Sequence, residues 1–258
     1  MRWRPRQLCL ILALAVGQAP AAAAGEPLRV FAASSLTEAF RDIAAEFGKA
    51  EAGAPVELSF GGSQILRTQI EQGAPADVFA AADRVQTDAL TEAGLLARAQ
   101  VFARNALVVV VPASDARVHG LQDLARPKMK LIVAGPTVPV GRYTAQVLAK
   151  LAASGFYGDD FEARVQANVV SQETNVRAVV AKVALGEADA GFVYRTDVLS
   201  GADTVRALPI AERYNVTAEY PIAVAAKRRH PRAAAFVEWV LGPRGRAVLE
   251  RYGFEGAR

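Results

Sequence analysis

Cysteine and histidine are almost missing from this 258-residue chain, which has one cysteine, Cys9, and two histidines, His119 and His230. One thiol excludes a disulfide framework and any multi-cysteine zinc or iron–sulfur site. Two imidazoles leave little for a histidine-based metal centre. Aromatic residues make up only 7% of the chain. Neither G-x-G-x-x-G nor a P-loop Gly-Lys-Ser/Thr occurs, which removes the usual signatures of dinucleotide and nucleotide binding. Long apolar runs are also lacking: a membrane-spanning helix needs about 20 residues, and Ala106–Pro112 is only of strand length. A serine hydrolase needs a base beside its nucleophile. His119, in a Val-His-Gly loop, and His230, in a polar turn before Pro231, do not read as buried bases, and Gly61-Gly62-Ser63-Gln64-Ile65 lacks the closing glycine of a nucleophile elbow. Asp159, Asp160, Glu187 and Asp189 fall in segments that read as solvated loops, so no carboxylate pair stands out for acid–base chemistry.

What the chain does have begins with an address. Residues 1–24 carry Arg2, Arg4 and Arg6, an apolar run from Leu8 to Val16, and small residues ending Ala22-Ala23-Ala24. That order is the pattern of a secretory signal peptide, with cleavage expected near Ala24. Cys9 lies at the start of the apolar run, not after it, where an acylated cysteine would stand. Removal of the leader takes away three arginines and no acid, which lowers the formal net charge from +4 to +1. The basic excess that invites a nucleic-acid reading therefore belongs to the export signal, and no nucleic-acid partner is expected. The mature protein is expected to be exported, free of cysteine and nearly neutral.

Past residue 24, short β-rich runs alternate with 3.6-period segments. Leu28–Ala32, Val56–Phe60, Val78–Ala81, Leu107–Val111, Leu131–Ala134, Ala167–Val170 and Ala190–Tyr194 read as strands, and Thr144–Leu151 and Val176–Leu185 are the clearest helices. This alternation predicts an α/β architecture of mostly parallel sheets flanked by helices. Such sheets bind ligands beyond the carboxyl ends of their strands. Several β/α series at this length predict two lobes, 25–104 with 217–258 and 105–216. The chain would cross near Arg104-Asn105 and again in Tyr214–Tyr220, giving a hinge of two crossing segments. Ser34 or Ser35, and Ser63, stand at strand-to-helix turns, where each reads as a hydroxyl N-cap or as a donor for a small anion held by free helix-start amides.

Six stretches, in order, carry a resemblance: Phe31-Ala32-Ala33-Ser34-Ser35-Leu36-Thr37, Gln69 to Phe79, Val138-Pro139-Val140-Gly141-Arg142-Tyr143, Asn175-Val176-Arg177, Gly191-Phe192-Val193-Tyr194 and Glu219-Tyr220-Pro221-Ile222. From about Leu28 to Phe254 the chain resembles the periplasmic molybdate-binding proteins of ABC transporters. The resemblance implies a two-lobed type II periplasmic binding protein fold that closes on one tetrahedral oxyanion, molybdate or tungstate. It maps the ligand donors onto Ser35 and Ser63 (hydroxyl and backbone N–H), Val140 and Val176 (backbone N–H) and Tyr194 (phenol). It implies no enzyme activity, no cofactor and no direct metal ligand, since the metal arrives as an oxyanion. It also implies a monomer in the periplasm that delivers its cargo to an inner-membrane permease with a cytoplasmic ATPase. Two departures are visible: Gly61-Gly62 replaces a more serine-rich approach, and no carboxylate stands at Val140, where six-coordinate archaeal relatives place one. A pocket made only of donors suits a fully ionised dianion, including sulfate. Hydrogenphosphate would bury its own O–H without an acceptor, at a cost of about 1–3 kcal/mol, provided no Asp or Glu enters the site. Arg142, just past the Val140 turn, reads as an exposed arginine adding at most a long-range attraction. Two rivals from other classes are an effector-sensing domain like those of LysR-type regulators, which the leader and the lack of an N-terminal DNA-binding helix pair oppose, and an exported hydrolase.

Overall fold

The computed structural model describes residues 26–51, 55–114, 117–199, 203–227 and 230–257. The proposed leader at 1–24, with Cys9, lies outside the described residues.

Three β/α units open the chain. β1 (Leu28–Ala33) runs through a 3-10 turn at Ser34–Leu36 into α1 (Thr37–Ala50); β2 (Val56–Gly61) leads into α2 (Ser63–Glu71), and β3 (Val78–Ala80) into α3 (Arg84–Glu92). β1 pairs in parallel with β2 on one side and β3 on the other. Its side chains divide between two apolar clusters: Leu28, Val30 and Ala32 pack in one, and Phe31 in the other with Leu66, Ile70, Phe79 and Leu90. A strand buried on both faces reads as a continuous apolar run instead of an alternating one, as LRVFAA does apart from the half-buried Arg29. α1 buries Ala39, Phe40, Ile43 and Phe47, a stripe with the helical period. Phe40 meets Phe102 at a tilt and Phe236 edge to face.

β4 (Gln100–Pro112) then passes between two sheets. Its first half pairs antiparallel with β9 (Thr217–Val224), and its second half pairs with β7 (Ala190–Tyr194) and β8 (Val205–Pro209). The second sheet is completed by β5 (Leu131–Ala134) and β6 (Val169–Glu173), with β5 parallel to both β6 and β7. Around it lie α4 (Pro139–Ala153), α5 (Phe161–Ala167), α6 (Val176–Ala184) and the short α7 (Arg195–Leu199). The chain returns through β9, which sits between β3 and β4, then α8 (Ala233–Leu241), α9 (Pro243–Arg251) and β10 (Glu255–Gly256), which pairs with the first half of β4. The fold is thus two-lobed and α/β, with parallel β/α strands in each lobe and the long strands β4 and β9 running antiparallel between them.

At the junction, the Asn215 side chain acts as a substitute peptide. Its Oδ1 accepts from the Leu107 amide at 3.3 Å and its Nδ2 donates to the Leu107 carbonyl at 2.9 Å. Leu107 is where β4 leaves one sheet for the other, so this side chain ties the two crossing segments together. No helix among the described residues is long and apolar enough to cross a membrane.

Three local expectations are corrected. The strand expected at Ala167–Val170 runs from Val169, because α5 occupies 161–167. Neither Ser34, Ser35 nor Ser63 caps a helix with its side chain: α1 follows Leu36 and α2 follows Gly62, each without a side-chain cap bond. The serine hydroxyls are engaged elsewhere, as described below. Asp189 is not a solvated loop residue; its carboxylate accepts from the Lys130 amide at 2.8 Å and pairs with Arg117 at 3.2 Å.

Candidate functional site

Six strands end at one place. Just past the carboxyl ends of β1, β2 and β3 come Ser35, Gly62 with Ser63, and Ala82. Past β5 and β6 come Val140 and Asn175 with Val176, and β7 itself ends on Tyr194. These residues line one cavity between the lobes, with a volume of about 10 Å³. Pockets for organic ligands hold roughly 300–1,000 Å³, so this one suits a group of a few atoms. It brings together all five residues singled out from the sequence: Ser35, Ser63, Val140, Val176 and Tyr194.

The cavity faces three helix starts. The first amides of an α-helix have no acceptor within it and carry the positive end of its dipole. α2 begins at Ser63. α4 begins at Pro139, which has no N–H, so its first amide is that of Val140. In α6 the Asn175 side chain accepts from the Ala178 amide at 3.1 Å, which leaves the Val176 amide for the cavity. Gly141 lets α4 start this close to β5: a methyl group there would fall within 3 Å of the carbonyl oxygens of Ala134 and Gly135. A helix N-terminus can hold an anion without any cationic side chain, so an apolar side chain at Val140 or Val176 is no obstacle to such a site.

The hydroxyls point the same way. Ser63 Oγ accepts from the Ala82 amide at 3.1 Å, so its own proton is left to donate. Ser35 Oγ lies 3.1 Å from the Tyr220 hydroxyl; with the phenol donating, Ser35 likewise keeps a proton for the cavity. Burial raises the pKa of Tyr220 and of Tyr194 well above the ordinary phenol value, so both remain donors at any physiological pH. Tyr194 is 1% exposed, and its hydroxyl has no hydrogen-bond partner among the described residues. A buried hydroxyl left unpaired costs about 1–3 kcal/mol, and an acceptor seated in the cavity would recover it. Tyr220 is the functional residue that sequence reasoning missed; its signal was the alternation Ala218, Tyr220, Ile222, which turns those three side chains inward along β9.

The electrostatics are one-sided. Among the described residues, no Asp or Glu lines the cavity. Arg142 is not a free surface arginine, contrary to expectation: it pairs with Asp83, whose side chain is only 5% exposed and caps α3 through the Gln86 amide at 3.1 Å. Arg177, next to Val176, pairs with Glu38 of α1 and lies 3.3 Å from the fully buried Asp197. Asp197 in turn accepts from the Tyr194 amide at 3.1 Å. Gln64 Nε2 also spans the lobes, donating to the Thr174 carbonyl at 2.7 Å. His119 and His230 take no part: the ring of His230 meets the Glu26 carbonyl, and the backbone amide of His119 meets Asp123. A larger, open hollow beside Arg104 and Phe254 presents Glu219, Glu250 and Glu255, a poor surface for a dianion.

The family model for bacterial extracellular solute-binding proteins matches residues 28–255. The chain belongs to that family. Its members bind solutes and are not enzymes. The chain is 38% identical over 228 residues to the molybdate-binding protein ModA of Mycobacterium tuberculosis H37Rv, covering 87% of this chain and 83% of the relative. Among solved structures, the periplasmic molybdate-binding protein of Azotobacter vinelandii shares the fold with a TM-score of 0.75 at 24% identity, covering 90% of this chain and 100% of that one. The sulfate-binding protein SubI of M. tuberculosis shares it with a TM-score of 0.79 at 19% identity, covering 90% of this chain and 87% of that one. At these identities the two structures speak for the fold of this family member.

Proposed function

We propose that this solute-binding protein captures molybdate or tungstate in the cavity between its lobes. The reading rests on one observation above all: six strand ends surround a small cavity that no described carboxylate lines and that meets hydroxyls and helix-start amides, and one of these donors, the Tyr194 hydroxyl, is buried and unpaired. Ser35 and Ser63 give hydroxyl and amide, Val140 and Val176 give amides, and Tyr194 gives its phenol. Each bond is charge-assisted, hence shorter and roughly twice as strong as a neutral one. The name of the M. tuberculosis relative at 38% identity supports molybdate as cargo. The lobes comprise residues 25–104 with 217–258 and 105–216, and they hinge where β4 changes sheets beside Asn215. The loaded protein, a monomer exported to the periplasm behind a leader cut near Ala24, delivers its oxyanion to an inner-membrane permease driven by a cytoplasmic ATPase. Sulfate is the second reading, since it has the same charge and also lacks a proton to donate.

Calorimetric titration of the mature protein with molybdate, tungstate, sulfate and phosphate tests both readings. Binding of the first two with no heat from phosphate is expected. Sulfate binding alone would move the assignment to the second reading, and silence with all four would refute the site. Ser35→Ala and Ser63→Ala should each weaken binding about 10- to 150-fold, the worth of one hydrogen bond to a charged group at about 1.5–3 kcal/mol, while the protein stays folded.

A further inference from the structure

The rim of the cavity holds two ion pairs built to one plan. In each, the carboxylate comes from the first lobe shortly after a cavity residue: Glu38 three residues past Ser35, and Asp83 directly after Ala82. In each, the guanidinium comes from the second lobe just past a cavity amide: Arg142 after Val140 and Arg177 after Val176. None of the four side chains lines the cavity. Asp83 and Arg142 are 59 residues apart in sequence, and Glu38 and Arg177 are 139 apart, so both pairs exist only because the lobes meet.

We propose that Glu38 and Asp83 raise the affinity of the site for its dianion, although they are anions placed beside an anion site. They do so by clasping Arg142 and Arg177 when the cleft shuts. The inference rests on the oxyanion reading above. A simple field argument has the opposite sign, because a carboxylate near the cavity repels the ligand and its removal should tighten binding. The clasp wins if pairing across the lobes holds the closed form more than the carboxylate charge opposes the ligand. The geometry favours that order. Asp83 is almost fully buried against Arg142, and truncating one partner of a buried charge pair shows mainly as faster dissociation. Arg177 carries a second duty: it also faces Asp197, which holds the amide of Tyr194, so the Glu38 contact joins the first lobe to the support of the phenol donor.

Asp83→Asn and Glu38→Gln remove each charge with little change of shape. Asparagine caps a helix as well as aspartate does, so α3 keeps its start, and Glu38→Gln leaves Arg177 with Asp197. Binding of sodium molybdate is measured by calorimetry, dissociation by chase with excess tungstate, and folding by the melting temperature of the ligand-free protein. Asp83→Asn is expected to raise Kd about tenfold or more. Glu38→Gln, at a more exposed pair, should raise it a few-fold. In both, the loss should appear in the dissociation rate, with the ligand-free melting temperature unchanged. Arg142→Gln added to Asp83→Asn should cost little further, because the pair is already broken. Unchanged or tighter binding by the single variants overturns the clasp while leaving the oxyanion site standing. Failure of the unmodified protein to bind any of the oxyanions overturns the site reading and the clasp with it.

Discussion

Gly62→Ala isolates lobe closure from lobe folding. Gly62 has φ −62° and ψ 132°, a conformation any residue adopts, so alanine brings no backbone strain to the first lobe. The difficulty lies across the cleft. A methyl group at Gly62 would fall closer than 3 Å to the carbonyl oxygen of Thr174 and to the Gln64 amide. The Gln64 side chain can swing aside, at the cost of its 2.7 Å bond to the same carbonyl. Thr174 cannot, because it directly follows β6. Restoring an ordinary separation of about 3.5 Å requires the second lobe to retreat by roughly 1 Å, and the amides of Val140 and Val176 retreat with it. Losing one charge-assisted hydrogen bond removes about 1.5–3 kcal/mol, and the Gln64 contact about 0.5–1.5 kcal/mol more. Molybdate binding should therefore weaken at least tenfold. Calorimetry gives Kd, and differential scanning of the ligand-free protein gives stability. An unchanged Kd would refute the steric argument, and a fall of many degrees in ligand-free melting temperature would shift the effect from closure to the fold.

Two further outcomes follow from the buried groups. Tyr194→Phe removes a hydroxyl that has no partner, so the ligand-free melting temperature should hold or rise while the stabilisation gained from molybdate shrinks; a parallel drop in both would show the hydroxyl to be structural. Burial raises the pKa of Asp197 to about 7, against the attraction of Arg177 and the Tyr194 amide and with a small upward push from Glu38. Its folded-state pKa lies above the unfolded value of about 3.9, so its contribution to stability is full below about pH 4 and is lost as the pH rises through 7. Asp197→Asn should accordingly gain on the unmodified protein between pH 4 and pH 8, and a melting-temperature difference that is flat across that range would refute the shift.

The strand, turn and helix order was readable because LRVFAA and LIVA are largely apolar on both faces, VELSFG alternates with period two, and each is followed by a turn or helix start. Ser35 and Ser63 were candidates from their turns alone, whereas Val140, Val176 and Tyr194 came only through family resemblance, since nothing in a valine announces that its amide will be used. What the sequence hid were relationships of distance. Asp83 and Arg142 look like ordinary surface charges until folding places the ends of β3 and β5 opposite each other. Ser63 looks like a helix cap until the Ala82 amide claims its oxygen. Gly62 reads only as part of a serine-poor approach to Ser63, whereas its missing side chain matters where the Thr174 carbonyl arrives from the other lobe.

The placement of β9 bears on when this protein can fold at all. Because β9 lies between β3 and β4, the first sheet stays in two pieces until residues 217–224 have been made. A chain emerging from its N-terminus must synthesise the whole second lobe before the first can close its core. Contacts so distant in sequence form slowly. The earliest lobe therefore waits, during synthesis, for nearly the last strand of the chain.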